Sequence, residues 1–257
     1  MILSNNGIIQ SGKSLGGGGG GGGGGADPFA ANVVLFLKGN GTNGSTNIID
    51  GSPTPKTISV FGTAQISTAQ SKYGGSSLYF DGTNNCFIGT PVPEEEEFLE
   101  EPGSSLDSIY TLGSDNFTLE MWVYPFSAAP NGIMAWNANA TMPSLATLNP
   151  VYSDFAGTFS FWRQGATVTG LQQLTINTWQ HHALVRSGNN FKWFLNGALT
   201  VSFSSTESFT GERIVIGTNG TNGYLAFAKF YLSHLRLTKA VRYTANFNPE
   251  TDTYLNV

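Results

Sequence analysis

The sequence predicts an all-β fold, an antiparallel two-sheet sandwich. Residues 117–124 read as a strand because they contain neither Gly nor Pro and mix β-branched, aromatic and long apolar side chains before Pro125. Further short segments of the same character follow, separated by Gly- and Asn-rich turns, and none has the periodicity of an amphipathic helix. Charged residues make up only 11% of the 257 residues and apolar residues 40%, which is typical of β-rich chains.

Residues 117–124 form the central strand of this prediction. Because successive side chains on a strand point to opposite faces, one face is wholly apolar and consists of Phe117, Leu119, Met121 and Val123. The other face consists of Thr118, Glu120, Trp122 and Tyr124. The first face is expected to cover a core and the second to be at least partly in contact with water.

The chain divides into an arm, a linker and one large domain. Residues 16–27 are a linker that includes ten consecutive glycines, and glycine loses the most entropy on ordering, so a flexible coil is expected. Residues 28–257 form the sandwich domain. Residues 1–15 form an anchoring arm, whose irregularly spaced apolar residues cannot build a core alone: Ile2, Leu3, Ile8, Ile9 and Leu15. This layout is typical of a protein tethered to a larger assembly.

Strands are predicted on both sides of the central strand. Asn196-Gly197 is the strongest hairpin signal, and the loop that ends the domain is expected to pack back on it through Tyr243 and Phe247. Residues 91–113 read as an acidic insertion loop that faces water. The predicted strands cover residues 33–38, 57–61, 64–67, 76–82 and 86–88, then 133–136, 158–163, 171–176, 179–186, 191–195, 198–203, 213–216 and 228–238.

Charge and hydropathy exclude several classes of function. The net charge of −5 comes largely from glutamates of the acidic loop, and no basic stripe exists to neutralise phosphates, so nucleic-acid binding is not expected. The N-terminus lacks the pattern of a signal peptide, and no apolar stretch approaches the roughly 20 residues needed to span a bilayer. We expect synthesis in a cytoplasm and no membrane insertion. The single Cys86 allows no internal disulfide.

Five stretches occur together in a familiar order: residues 40–52, 71–82, 115–125, 179–197 and 213–249. Together they resemble the laminin-G-like, concanavalin-A-type jelly-roll domain found in phage and marine viral structural proteins. The resemblance covers about residues 32–250, apart from the acidic insertion. It implies a lectin-like sandwich that often binds glycans or proteins, sometimes with a calcium ion at its rim.

The residues do not support a catalytic site. His181 and His182 are adjacent, so a strand sends their imidazoles to opposite faces and they cannot easily share a metal. A glycosidase needs two carboxylates about 5–9.5 Å apart, and the central strand offers Glu120 alone. His234 has no Asp or Cys near it in the sequence. Neither a nucleophile elbow nor a phosphate-binding loop occurs, so we expect no enzymatic activity.

Calcium is the one cofactor that the sequence leaves open. Asp50, Asp81 and Asp154 each lie in a turn-rich segment, where backbone carbonyl groups could complete an oxygen shell. The acidic ladder of an EF-hand is absent, and an aspartate beside a glycine is also a common turn former.

A glycan site is predicted where aromatic side chains have amide or guanidinium neighbours, since sugars stack on rings and hydrogen-bond to such groups. The segment that meets this description contains six candidate residues: Trp136, Asn137, Asn139, Tyr152, Trp162 and Arg163. The same residues could instead belong to the core or to a subunit contact.

The sequence as a whole predicts a non-enzymatic virion structural protein, either a tail fibre or appendage or a capsid decoration protein. The arm would anchor it to other virion proteins, and the lectin-like domain would project outward. By analogy with such proteins we expect a homo-oligomer, a trimer, located in the virion after synthesis in the host cytoplasm. The alternative is a receptor-binding lectin that recognises host surface glycans, with or without calcium.

Overall fold

The computed structural model describes part of the chain. The described residues are 27–83, 87–90, 112–126, 133–137, 152–153, 160–163, 166–168, 174–206, 208, 213–217 and 227–249. The arm, the glycine run, Cys86, Asn139, Asp154 and the acidic loop up to residue 111 lie outside these ranges. The expectations for them therefore stay predictions.

The described residues contain one short 3₁₀ helix, Ala30–Asn32, and fifteen strands. None of their helices is long and apolar enough to cross a membrane. The strands are β1 Val33–Leu37, β2 Ser59–Phe61, β3 Gln65–Ser67, β4 Ser77–Asp81, β5 Phe87–Thr90, β6 Phe117–Pro125, β7 Met134–Asn137, β8 Tyr152–Ser153, β9 Ser160–Arg163, β10 Ala166–Val168, β11 Gln180–Ser187, β12 Asn190–Leu195, β13 Ala198–Ser204, β14 Arg213–Ile216 and β15 Lys229–Thr238.

The strands form two sheets, and every strand pair among them is antiparallel. The larger sheet has eight strands in the order β13-β12-β11-β6-β15-β4-β3, with β1 paired to β15 as well. The smaller sheet has seven strands in the order β10-β9-β8-β7-β14-β5-β2. The all-β, antiparallel two-sheet sandwich predicted from the sequence is confirmed.

The main core lies between the two sheets. Leu119 and Met121 of β6 are fully buried and belong to the same apolar cluster as Leu184 of β11. The smaller sheet contributes Met134, Ile214 and other buried residues to this cluster. The apolar face that the sequence predicted for the central strand is therefore confirmed, and β6 lies in the middle of the larger sheet.

The strand predicted at residues 171–176 is wrong in its described part, residues 174–176, and two strands were missed. Residues 174–176 are a loop and the start of a turn, with Ile176 48% exposed. Asn177 continues the turn at a φ of 54°, and its N–H donates to the carbonyl of Pro125. The alternation of Leu174, Thr175 and Ile176 resembled a strand, but the turn begins at Ile176. The two missed strands, β8 and β10, have only two and three residues, too few to show alternation.

The second face of β6 is also less exposed to solvent than predicted. Thr118, Glu120 and Trp122 are at most 2% exposed, and Tyr124 alone is half-buried. Trp122 packs with Val33, Phe36 and Tyr73, whereas Thr118 and Glu120 lie under the closing segment, residues 239–249. Its Tyr243 and Phe247 stack on each other and pack against Phe194 and its neighbours. The predicted return of these two rings onto the domain is confirmed.

The hairpin predicted at Asn196-Gly197 joins β12 to β13. Both residues have positive φ, 49° and 78°, as a type I′ turn requires. The turn also touches the closing segment, since the Phe247 N–H donates to the Gly197 carbonyl at 3.0 Å. A Cβ atom on Gly197 would lie 1.9 Å from the Phe247 carbonyl oxygen. Glycine is therefore required here by conformation and by space.

Replacing Gly197 with Ala tests whether the hairpin supports the closing segment. Gly188 is the matched control, since its φ is 59° and a Cβ atom there meets nothing within 4 Å. We expect Gly188→Ala to lower the free energy of unfolding by about 1–2 kcal/mol, the cost of a left-handed alanine. Gly197→Ala should cost clearly more, because it displaces Phe247 as well. Equal losses in urea unfolding would contradict this contact.

Candidate functional site

The outer face of the larger sheet, which points away from the core, has two different halves. One half lies under the closing segment and contains buried charges. The other half carries aromatic side chains that are partly open to solvent. The central strand β6 contributes to both, because Glu120 and Tyr124 lie on the same face of that strand.

Glu120 is the centre of the covered half. Its carboxylate is fully buried and accepts hydrogen bonds from the Arg242 guanidinium and, at 2.6 Å, from the Tyr243 hydroxyl. His181 Nε2 lies 3.4 Å from the same carboxylate. Thr118 adds a link to the backbone, donating to the Ala240 carbonyl at 2.8 Å. These contacts attach the closing segment to the centre of the sheet.

A second buried ion pair lies beside the first. Arg236 is paired by register with Glu120 and is fully buried. Its guanidinium contacts the Asp27 carboxylate. It also donates a hydrogen bond to the Thr238 hydroxyl at 2.8 Å, and Thr238 is paired with Thr118 in the sheet. The two carboxylates and two guanidinium groups balance each other, which buried charges require. Glu120 is therefore a structural residue that joins the end of the domain to the sheet.

The two adjacent histidines lie on opposite faces of β11, as the sequence predicted. His181 is paired with Trp122 on the outer face, and His182 is paired with Met121 on the core face. The His182 ring packs edge-on against Trp193 at 6.0 Å. Burial lowers the pKa of His182 to about 3, and electrostatic repulsion from His181 acts in the same direction to a smaller extent. His182 is thus a neutral core residue.

His234 lies in an irregularity of β15. The register shifts between Ser233 and Arg236, and His234 has a φ of 53°, which is unusual for a residue other than glycine. Its Nδ1 lies 2.6 Å from the Ser233 hydroxyl, and its ring packs edge-on against Tyr73. Burial, followed by the charge of Lys38, lowers the pKa of His234 to about 4.

Two of the three aspartates considered for calcium, Asp50 and Asp81, hold turns, and Asp154 lies outside the described residues. The Asp50 carboxylate is 2% exposed and accepts hydrogen bonds from the backbone of Phe36, Ser52 and Lys56. The Asp81 carboxylate accepts from the Thr83 backbone and side chain. Within the described ranges, no group of three or more His, Cys, Asp or Glu residues is arranged to hold a metal ion.

The predicted glycan residues fall mainly on three neighbouring strands of the smaller sheet. Trp136 and Asn137 lie on β7, Tyr152 on β8, and Trp162 and Arg163 on β9. The register pairs Trp136 with Ile214 of β14. Neighbouring strands bring five of the six residues into one region of this sheet, and their role in glycan binding stays a prediction.

The open half of the outer face carries a feature that the sequence did not reveal. Four aromatic residues lie side by side on it, and we call them the aromatic row: Tyr79, Tyr231, Tyr124 and Trp179. Tyr231 is paired by register with Tyr79 on one side and Tyr124 on the other. The ring centroids are 4.8 Å apart for Tyr79 and Tyr231, 5.9 Å for Tyr231 and Tyr124, and 5.6 Å for Tyr124 and Trp179.

The row is partly accessible to solvent. Tyr79, Tyr124 and Trp179 are half-buried, whereas Tyr231 is 7% exposed and forms the floor. Burial raises the pKa of the Tyr231 phenol above its usual range, and a hydrogen bond with Ser67 opposes this shift. The phenol therefore keeps its proton at neutral pH. The rings are held by one another, so their conformations are set before any ligand arrives.

Charged and aromatic groups border the row on both sides. On one side Phe126 is 38% exposed, and the Lys229 ammonium lies 4.8 Å above its ring. On the other side Lys72 and Tyr73 lie against Trp122, with the Lys72 ammonium 3.8 Å from the centre of the indole ring. The arrangement offers aromatic rings, tilted or edge-on to one another, with ammonium groups beside them.

A family model for the concanavalin A-like lectin/glucanases superfamily matches residues 101–245, more than half of the chain. The chain belongs to this superfamily. No curated protein matches it in sequence. The match covers the central strand, the hairpin and β15, which are the parts of the larger sheet described above.

Solved structures share the fold at low sequence identity. Domain 4 of AbnA, a GH43 extracellular arabinanase from Geobacillus stearothermophilus in complex with arabinotriose, has a TM-score of 0.58 and 16% identity, covering 87% of this chain and 98% of that one. The botulinum neurotoxin type G receptor binding domain has a TM-score of 0.52 and 12% identity, covering 82% and 49%. The binding domain of botulinum neurotoxin DC in complex with SialylT has a TM-score of 0.54 and 9% identity, covering 88% and 51%. The chain thus spans about half the length of these neurotoxin domains.

Replacing Glu120 with Gln tests the buried charges. The change removes the carboxylate that faces Arg242, and breaking one partner of a buried pair costs about 3–5 kcal/mol. Asp81→Asn is the control, because it removes the same charge at a partly exposed site, where the expected loss is under about 1 kcal/mol. Adding Arg242→Met to Glu120→Gln should recover part of the stability. Similar losses for Glu120→Gln and Asp81→Asn in chemical unfolding would refute this role.

The buried histidines predict a pH dependence of stability. Because the pKa of His234 is lower in the folded protein, the unfolded state takes up the proton first as pH falls below about 6.5. The stability contributed by the neutral His234 is therefore fully present well above pH 6.5 and falls by up to about 1.4 kcal/mol per pH unit as the pH drops towards 4, and His182 adds a decline of the same sign. His234→Asn tolerates the positive φ and should make the decline shallower. An unchanged slope between pH 6.5 and 5 would show that His234 does not titrate in this way.

Proposed function

We propose that the chain is a non-enzymatic carbohydrate-binding protein, and that the aromatic row is its glycan-binding surface. The observation that carries this proposal is the row itself, four rings on neighbouring strands with their faces or edges partly open. A charge-paired, fully buried Glu120 is not available for acid or base catalysis, which favours binding over hydrolysis.

The chemistry of the row suits a sugar ligand. The C–H faces of a sugar ring are apolar and stack on aromatic rings, while its hydroxyl groups need donors and acceptors at the rim. The phenols of Tyr79 and Tyr124 and the ammonium group of Lys229 supply such groups. Because the rings already pack against each other, little side-chain entropy is lost on binding.

The comparisons support a glycan as the ligand class. The superfamily is described as lectins and glucanases. The related domain of the arabinanase was solved with arabinotriose, and one related neurotoxin domain with SialylT. Both similarities are in fold at low identity, so the sugar that this chain binds is decided by its own residues.

The biological setting that we propose is a virion. The arm of residues 1–15 and the glycine-rich linker suit attachment to other virion proteins, and few charged residues suit an exposed particle surface. In this proposal the domain is displayed as a homo-oligomer, a trimer, on a tail fibre, appendage or capsid. The ligand would be a glycan on the host surface, bound with or without calcium.

Removing rings from the row tests the proposed surface. We expect Tyr124→Ala and Trp179→Ala each to weaken glycan binding about tenfold or more, equivalent to about 1.4 kcal/mol, because each removes a stacking surface. Leu199→Ala is the control, since Leu199 is a 43% exposed apolar residue on another strand of the same sheet. Binding is measured with the full-length chain on a glycan array and then by calorimetry, with melting temperatures to verify folding.

The array also separates the row from the residues predicted in the smaller sheet. If Trp136→Ala and Trp162→Ala abolish binding while Tyr124→Ala and Trp179→Ala leave it unchanged, the row is not the site. If no glycan is retained by the wild-type chain, the proposed function itself is wrong.

The virion proposal has its own test. Deleting residues 1–25 should leave the domain folded, because the described strands all lie later in the chain, but should abolish incorporation into particles. Normal copy number after deletion would contradict the anchoring role.

Binding of the intact chain to host cells, with and without a calcium chelator, then shows whether a metal supports adhesion. Binding that free polysaccharide displaces would support the lectin role.

A further inference from the structure

We propose that the aromatic row binds an internal stretch of a linear polysaccharide that runs across the strands, rather than the end of a short glycan. This inference rests on the proposed function and adds the class and direction of the ligand. Three features of the larger sheet carry it: the direction of the row, its length and the groups along its two sides.

The direction of the row follows from the strand order. Trp179 immediately precedes β11, and the next strands across the sheet are β6, β15 and β4, which carry Tyr124, Tyr231 and Tyr79. The three tyrosines are directly opposite one another in register. The row is therefore perpendicular to the strands, and a chain that follows it crosses four strands.

The length of the row exceeds one sugar ring. Neighbouring strands lie about 4.8 Å apart, so three spacings make the row about 14 Å long. The register extends the line by one more position, because Gln65 of β3 is paired with Tyr79 and is half-buried. The line then measures about 19 Å and ends at an amide, a group that hydrogen-bonds to sugar hydroxyls. Several consecutive sugar rings can contact it at once.

The sides of the row favour an elongated ligand over a terminal sugar. Phe126 and Lys229 lie along one side, and Lys72 and Tyr73 along the other. Such borders define a shallow track in the same direction as the row. Sites for small ligands instead enclose most of the ligand surface, whereas this row ends at two half-buried rings that solvent still reaches, Tyr79 and Trp179.

This geometry predicts how affinity depends on ligand length. A short oligomer covers the central rings, so Tyr124 contributes to ligands of every length. Each further sugar reaches an outer ring, so Tyr79 contributes only to longer ligands. A terminal-sugar site would show no such difference between central and outer rings.

The experiment is calorimetry of the full-length chain with linear oligomers of arabinose, xylose, glucose and N-acetylglucosamine, each from one to six units, together with sialyllactose. We expect at least one series to gain tenfold or more in affinity between the dimer and the pentamer. Tyr79→Ala should remove most of that gain while leaving the dimer affinity within twofold. Tyr124→Ala should weaken every member of the series. Tyr79→Phe, which keeps the ring and loses only the hydroxyl group, should retain most of the gain. Trp179→Ala, at the other end of the row, replaces Tyr79→Ala if that variant is unstable.

Two results would overturn the inference and leave the proposed function standing. One is an affinity that does not change with length in any series that binds. The other is sialyllactose, or a branched or terminal glycan of the array, as the tightest ligand while the linear oligomers bind weakly or not at all. Absence of binding to every oligomer, to sialyllactose and to the whole array would instead overturn the proposed function and the inference together.

Discussion

The pairing of one buried carboxylate, that of Glu120, with Arg242 and Tyr243 determines how the outer face of this domain is arranged. Glu120 lies in the middle of β6, the central strand of the larger sheet, and the alternation that places Leu119 and Met121 in the core sends Glu120 outward. A bare ionised carboxylate there would be too costly to bury. The Arg242 guanidinium, the Tyr243 hydroxyl and the imidazole of His181 offset that cost, and two of them come from the closing segment.

That solution covers one half of the face and leaves the other available. Along β6 the same face presents Glu120, then Trp122, then Tyr124, and it changes from a buried charge to a half-buried ring within five residues. The closing segment lies over Glu120 and does not extend over Tyr124. In the proposed function, stability and binding therefore depend on different residues of one strand, Glu120 for stability and Tyr124 for binding.

Local patterns made much of the fold predictable. The two faces of β6, the Asn196-Gly197 hairpin and the return of Tyr243 and Phe247 all follow from short-range alternation, turn chemistry or apolar residues near the end of the domain. Residues 174–176 were misjudged because the alternation of Leu174, Thr175 and Ile176 does not show that a turn begins there. The full burial of Glu120 was missed because its partner Arg242 is 122 residues away in the sequence.

The aromatic row was not predictable for the same reason. Its members, from Tyr79 to Tyr231, come from four separate parts of the chain, and nothing in the sequence specifies which strands are neighbours or which residues are opposite. A single aromatic residue at an alternating position is ordinary in any sandwich. The resemblance to lectin-like domains suggested glycan binding, but proposing a site on this sheet face required the register of β4, β15, β6 and β11.

A crystal structure of the full-length chain with its tightest-binding oligosaccharide would test the central claim most directly. The account predicts sugar rings stacked over Tyr124 and its neighbours in the row, with the sugar chain crossing β6 and β15 and the closing segment still in place over Glu120. Sugar bound instead on the smaller sheet beside Trp136 and Trp162, with the row empty, would contradict it.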